Sequence, residues 1–78
     1  MRKITTEERQ KLLELGFVEG LDGDWSNGLV RSVCLFRPRE WEKPPRWEAG
    51  RFGEALVGAD RPLAALALWM LRGGSLDG

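Results

Sequence analysis

Apolar and polar positions follow three different rhythms along this chain. Residues 1–15 are mostly polar and close on Leu12, Leu13 and Leu15, a short apolar side that predicts a helix from Thr6 to Leu15. Thr5 is a good N-cap, and Glu8 three residues on completes a T-x-x-E capping box, in which each side chain satisfies one orphan backbone N–H. Glu7 and Glu8 suit the positive end of the helix dipole. Gly16 fits the position just past the helix, where φ is positive, and Ile4 is placed to cover its start.

The rhythm then shortens to two. Asn27-Gly28 predicts a hairpin, because a type I′ turn needs φ > 0 at both central residues. That turn would set Trp25 opposite Val30, Asp24 opposite Arg31, Leu21 opposite Cys34 and Glu19 opposite Phe36. Phe17, Leu21, Trp25, Val30, Cys34 and Phe36 then share an apolar face that should meet the helices. Val18, Asp22, Asp24, Arg31, Val33, Leu35 and Arg37 share the other, with Asp24–Arg31 as a cross-strand pair. Asp22-Gly23 offers a rival turn or a bulge.

Pro38-Arg-Glu-Trp-Glu-Lys-Pro-Pro45 excludes helix and central strand and predicts a long, partly extended loop. Residues 46–51 alternate again and predict a third strand with Trp47 and Ala49 inward. Phe52 to Ala59 reads equally as a continued strand or a helical turn. Asp60 as N-cap, Pro62 in the first turn and Gly73-Gly74 as a stop predict a helix from Arg61 to Arg72. The resulting order is α-β-β-β-α. It predicts an α+β fold, a small antiparallel three-stranded sheet with two helices on one face, in a single domain whose residues 75–78 form a frayed tail.

Composition narrows the chemistry. At 78 residues the core is small, and one cysteine, Cys34, allows no internal disulfide. No histidine is present, so the usual general base and zinc ligand are missing. Cys34 falls mid-strand and is expected to face inward as a small hydrophobe rather than a nucleophile. Asp22 and Asp24 do not complete a calcium loop, and no glycine run matches a phosphate-binding loop. The expectation is a non-enzymatic protein with no cofactor and no metal site. Its longest apolar run, Leu63 to Leu71, is too short to span a bilayer. With no signal-peptide pattern and a free cysteine, a cytoplasmic location is expected.

Net charge is zero, from twelve basic and twelve acidic residues, but it is unevenly spread. Residues 31–51 carry six cations and three carboxylates, a patch suited to an acidic partner. Within it Arg37, Arg39, Trp41, Lys43 and Arg46 interleave cations with an aromatic, while prolines limit the loop's freedom. The C-terminal helix is apolar all round from Leu63 to Leu71. Its row Arg61, Ala65, Trp69 and Arg72 has least to bury against if the other two rows face the sheet. Trp69 and Arg72 therefore join the candidate contact residues. The same positions have bland roles too. Trp41 can tuck under the loop with its arginines paired to Glu40, Glu42 and Glu48, and Trp69 can lie over the first helix.

The α-β-β-β-α order resembles the double-stranded-RNA-binding domain, in topology alone. The basic cluster that opens that family's last helix is replaced here by Ala59-Asp60-Arg61-Pro62-Leu63. Leu15-Gly16-Phe17, the Trp25 hairpin with Asn27-Gly28, and Pro62-Leu63-Ala64-Ala65-Leu66 together resemble small phage- and prophage-encoded proteins of the anti-CRISPR type. The resemblance implies an inhibitor that occupies a surface of a larger host complex, and it assigns no residue. Three functions are thus expected in turn: a protein-binding regulator, a nucleic-acid module built on Arg31, Arg37, Arg39, Lys43 and Arg46, and a homo-oligomer held by the last helix.

Overall fold

The capping box forms as the sequence dictates. In the protein's structure, a computed structural model that describes residues 4–28 and 32–76, helix α1 spans Thr6–Glu14. The Glu8 N–H donates to Thr5 Oγ1 at 3.1 Å, and the Thr5 N–H donates to Glu8 Oε1 at 2.8 Å. Past Leu15, Gly16 takes φ +91. Its N–H reaches the Leu13 carbonyl at 3.0 Å, and the Phe17 N–H reaches that of Leu12 at 2.9 Å. This paired closure brings Phe17 back against Leu12, and both side chains are buried.

The sheet has five strands rather than three: β1 (Val18–Glu19), β2 (Trp25–Ser26), β3 (Val33–Phe36), β4 (Trp47–Arg51) and β5 (Val57–Ala59). They form an antiparallel meander in the order β1-β2-β3-β4-β5. The two additional strands are short: the first expected strand is split into β1 and β2, which pair over two residues each, and β5 arises within the ambiguous 52–59 stretch. With five strands the element order is no longer α-β-β-β-α, the feature on which the likeness to the double-stranded-RNA-binding domain rested.

The rival turn is the one that forms. Gly20 N–H donates to the Asp24 carbonyl at 2.7 Å and Gly23 N–H to that of Gly20 at 3.1 Å, closing β1 on β2. Gly23 sits at φ +91, and a Cβ there would lie 2.7 Å from Arg37 Cδ. Gly23→Ala is therefore expected to lower stability by about 1–2 kcal/mol. Urea denaturation would check this, and an unchanged midpoint would show that the turn does not need glycine.

The Asn27-Gly28 hairpin register is corrected. Asn27 brackets a longer loop: its N–H donates to the Val33 carbonyl at 3.2 Å, and its Oδ1 accepts the Val33 N–H at 3.1 Å. Leu35, not Val30, therefore stands opposite Trp25. An odd shift turns every side chain of the strand to the other face. Val33 and Leu35 become fully buried, Cys34 and Phe36 turn to the far side half-buried, and Leu21 is exposed in the turn. Val30 and Arg31 lie outside the described residues. Asp24, expected to pair with Arg31, accepts the Arg37 N–H at 2.8 Å through Oδ1.

Trp25, Leu35, Ala49 and Val57 are successive cross-strand partners or neighbours on one buried face, with Trp47 inward as its alternation predicts. Helix α2 (Pro62–Leu71) lies on this face, and α1 packs on α2 and adds Leu12 to the same core. The Arg9 guanidinium of α1 sits 5.6 Å from the Trp25 ring centroid and pairs with Glu19 of β1. Helix α2 packs on β3, β4 and β5 through Pro62, Ala65, Leu66 and Trp69. Its N-cap is Arg61 rather than Asp60. The Arg61 side chain does not cap the helix but pairs with Glu8 of α1, its Nε donating to Glu8 Oε2 at 2.9 Å. Among the described residues no helix is long and apolar enough to cross a membrane.

Candidate partner-binding surface

The loop between β3 and β4 is held at its base and free at its tip. Pro38 is buried beside the end of β3. Arg39 and Glu42 then close a turn on each other. The Glu42 N–H donates to the Arg39 carbonyl at 3.1 Å, and the Arg39 N–H donates to Glu42 Oε1 at 2.9 Å. Glu40 and Trp41 occupy the two central positions of that turn, so the indole stands at its apex. Trp41 is 76% exposed. Its one described companion is its own Arg39, whose guanidinium lies 5.8 Å from the ring centroid. The expected alternative, an indole tucked under the loop, does not occur.

The expected cations separate into two groups. Arg37 and Arg39 are exposed and share a cleft with Trp41, and Lys43 is exposed two residues along the loop. Arg46 is exposed as well, yet its Nη2 donates to the Gly58 carbonyl at 2.9 Å and its guanidinium lies over Gly58, where a Cβ would meet it at 3.0 Å. Arg46 thus covers the backbone of an edge strand. Glu42 turns one carboxylate oxygen back to the Arg39 N–H and so closes the turn on itself. Trp41, Arg37, Pro38, Arg39 and Glu40 line a cleft of about 180 Å³ whose far wall is Asp22 and Asp24 of the β1–β2 turn. Sequence reasoning missed those two carboxylates as neighbours of Trp41. Only the corrected register, which places the β1–β2 turn beside Arg37, brings them there.

Trp69 is not part of this surface, and its expected exposure is corrected. It is 6% exposed. The Arg51 guanidinium lies 5.2 Å from one side of its ring. The C-terminal segment covers it too: Gly74 N–H donates to the Trp69 carbonyl at 3.1 Å, and a Cβ on Gly74 would lie 2.4 Å from Trp69 Cδ2. Arg51 Nη2 donates to the Ser75 carbonyl at 2.6 Å and ties that segment down, so residues 75 and 76 are docked rather than frayed. Arg72 is exposed at the end of α2, apart from its expected companion indole. Ala65 and Trp69, of the row predicted to lack cover, are buried because that side of α2 is the one that packs on the sheet, and the segment after the helix closes over Trp69 as well.

Cys34, turned outward on β3, is half-buried, and burial pushes its thiol above the ordinary value, with Asp24 adding to the rise. It is a protonated thiol at neutral pH rather than an activated nucleophile. Among the described residues no group of three or more potential ligands could hold a metal ion.

No protein-family model matches the chain, and no curated protein or solved structure shows significant similarity to it.

Proposed function

We propose that the protein is a non-catalytic binding module that sets Trp41 into a pocket on the surface of another protein, with Arg37, Arg39 and Lys43 facing carboxylates around that pocket. The observation that carries this function is an indole 76% exposed at the apex of a turn whose base is fixed by Pro38 and by two mutual hydrogen bonds. Large exposed aromatics flanked by arginine are the usual anchors of protein interfaces. A turn already closed in the free protein also lowers the ordering cost of binding. Occupying a surface of a larger complex, as in the phage-encoded inhibitors the sequence resembles, needs nothing more.

A nucleic-acid interface is the less favoured use of the same loop. Arg51, one of the six cations of the basic segment, is buried against Trp69. Asp22, Asp24 and Glu40 interrupt the cations around Trp41, an arrangement that suits separate carboxylates on a protein better than a continuous phosphate track.

Trp41→Ala is expected to weaken partner binding by about 2 kcal/mol or more, roughly thirtyfold. Its melting midpoint should stay near that of the wild type, because an exposed side chain contributes little to folding. Tagged wild-type and variant proteins, used as bait in the same lysate, read this directly. A partner retained equally by Trp41→Ala would remove the loop from the interface. Captured nucleic acid, with affinity falling steeply as salt rises, would favour the alternative use instead.

A further inference from the structure

Helix α2 has no polar side. Pro62, Ala65, Leu66 and Trp69 are buried on the sheet, while Ala64, Ala67, Leu68, Met70 and Leu71 face solvent. Leu71 is 83% exposed, and Leu68 and Met70 are 41% and 43% exposed. A helix lying on a sheet normally turns polar residues outward, and no polar residue occurs anywhere between Pro62 and Leu71.

We propose that a second copy of this chain covers that face, the two α2 helices packing antiparallel about a two-fold axis near Ala67. Three features favour a second copy over a different molecule. The first is charge. Arg72 closes one end of the stripe, and Asp60 stands at the other beside the neutral Glu8–Arg61 pair. Antiparallel pairing about Ala67 brings each Arg72 level with Pro62 of the other copy, within side-chain reach of Asp60. The second is shape. Asp60 walls a cleft of about 170 Å³ whose other sides are Pro38, Pro44 and Pro45. Such a cleft suits an arginine, with an apolar wall for its stem and a carboxylate for its head. The third is approach. Ala64 and Ala67 lie mid-stripe and let two helices close to about 8 Å, and antiparallel helix dipoles attract. Ten residues of helix span about 15 Å, which puts the contact at the small end of stable interfaces and its dissociation constant in the micromolar range.

Sedimentation equilibrium from about 5 to about 500 µM tests this. The mass of 8.8 kDa is expected to double across that range. Leu71→Glu should leave a folded monomer throughout, since the side chain it replaces contributes little to the protein's own core. Arg72→Glu should weaken association about tenfold, and adding Asp60→Arg should recover most of it. Trp41→Ala should leave the association unchanged, because the indole lines neither the α2 face nor the Asp60 cleft, which shares only Pro38 with the cleft at Trp41. A wild-type protein still monomeric at the highest concentration would overturn the proposal and leave the face to some other molecule. A dimer untouched by Leu71→Glu would overturn it too.

Discussion

Trp69→Ala is expected to cost about 3–5 kcal/mol, as removal of a buried tryptophan generally does. For a domain of this length the whole folding free energy is about 4–12 kcal/mol, so the variant should be largely unfolded or close to it at 37 °C. The expected loss has three parts. The indole fills the space between α2 and β4, it stacks with Arg51, and it is the floor on which Gly74 rests. Without it Arg51 keeps a charge in a buried position beside a cavity. Far-UV circular dichroism through a urea titration measures the effect. A midpoint within the error of the wild type would show that the C-terminal segment does not cover Trp69 in solution. Gly74→Val attacks the same contact from outside. A side chain there cannot coexist with the ring, so the segment must lift away, exposing Trp69 and shifting its fluorescence to longer wavelength. Trp41→Ala should do neither, and the contrast between the two tryptophans separates folding from binding.

What could be read from the sequence follows the range of the physics involved. The α1 cap, the Gly16 closure and the Gly73-Gly74 stop depend on neighbours three to five residues apart, and they form as expected. The inward alternation of Trp47 and Ala49 needs only the period of a strand. The hairpin register does not reduce to local rules. Asn27-Gly28 and Asp22-Gly23 are both competent turns, and a two-residue strand such as β2 carries too little alternation to choose between them. One wrong choice inverts β3 and moves Cys34, Val33 and Leu35 to the wrong faces. The last helix failed as a guide for a related reason. When every row is apolar, periodicity cannot say which row is buried. The answer rests on how Pro62, Ala65, Leu66 and Trp69 fit against β3, β4 and β5, with Gly74 adding cover over Trp69. The Trp41 loop was legible because prolines and charges exclude regular structure there, whereas its acidic neighbours depended on the register.

Glu8 is expected to matter more than any other charged residue outside the core. Its carboxylate accepts the Thr5 N–H at the start of α1 and also holds Arg61 at the start of α2. It therefore joins the entrances of both helices, and it does so largely out of solvent, with 14% of its side chain exposed. Glu8→Ala removes a cap worth about 1 kcal/mol and a charge-assisted pair worth about 1.5–3 kcal/mol, so a loss of about 2–4 kcal/mol is expected. Glu8→Gln keeps the reach and the capping oxygen but removes the charge, and should lose roughly half as much. The same charge makes stability depend on acid. The hydrogen bond and charge of Arg61 hold the Glu8 carboxyl below its ordinary range, against the opposing pull of burial. A carboxyl depressed on folding stabilises the native state at any pH above its unfolded value, about 4.3. That contribution is lost as pH falls further, through the lower native value, because the unfolded chain takes up the proton first. Urea midpoints of wild type and Glu8→Gln should therefore differ most near neutrality and converge below about pH 4. A difference that stays constant down to pH 3 would mean that the carboxylate's charge is not what joins the two helix entrances.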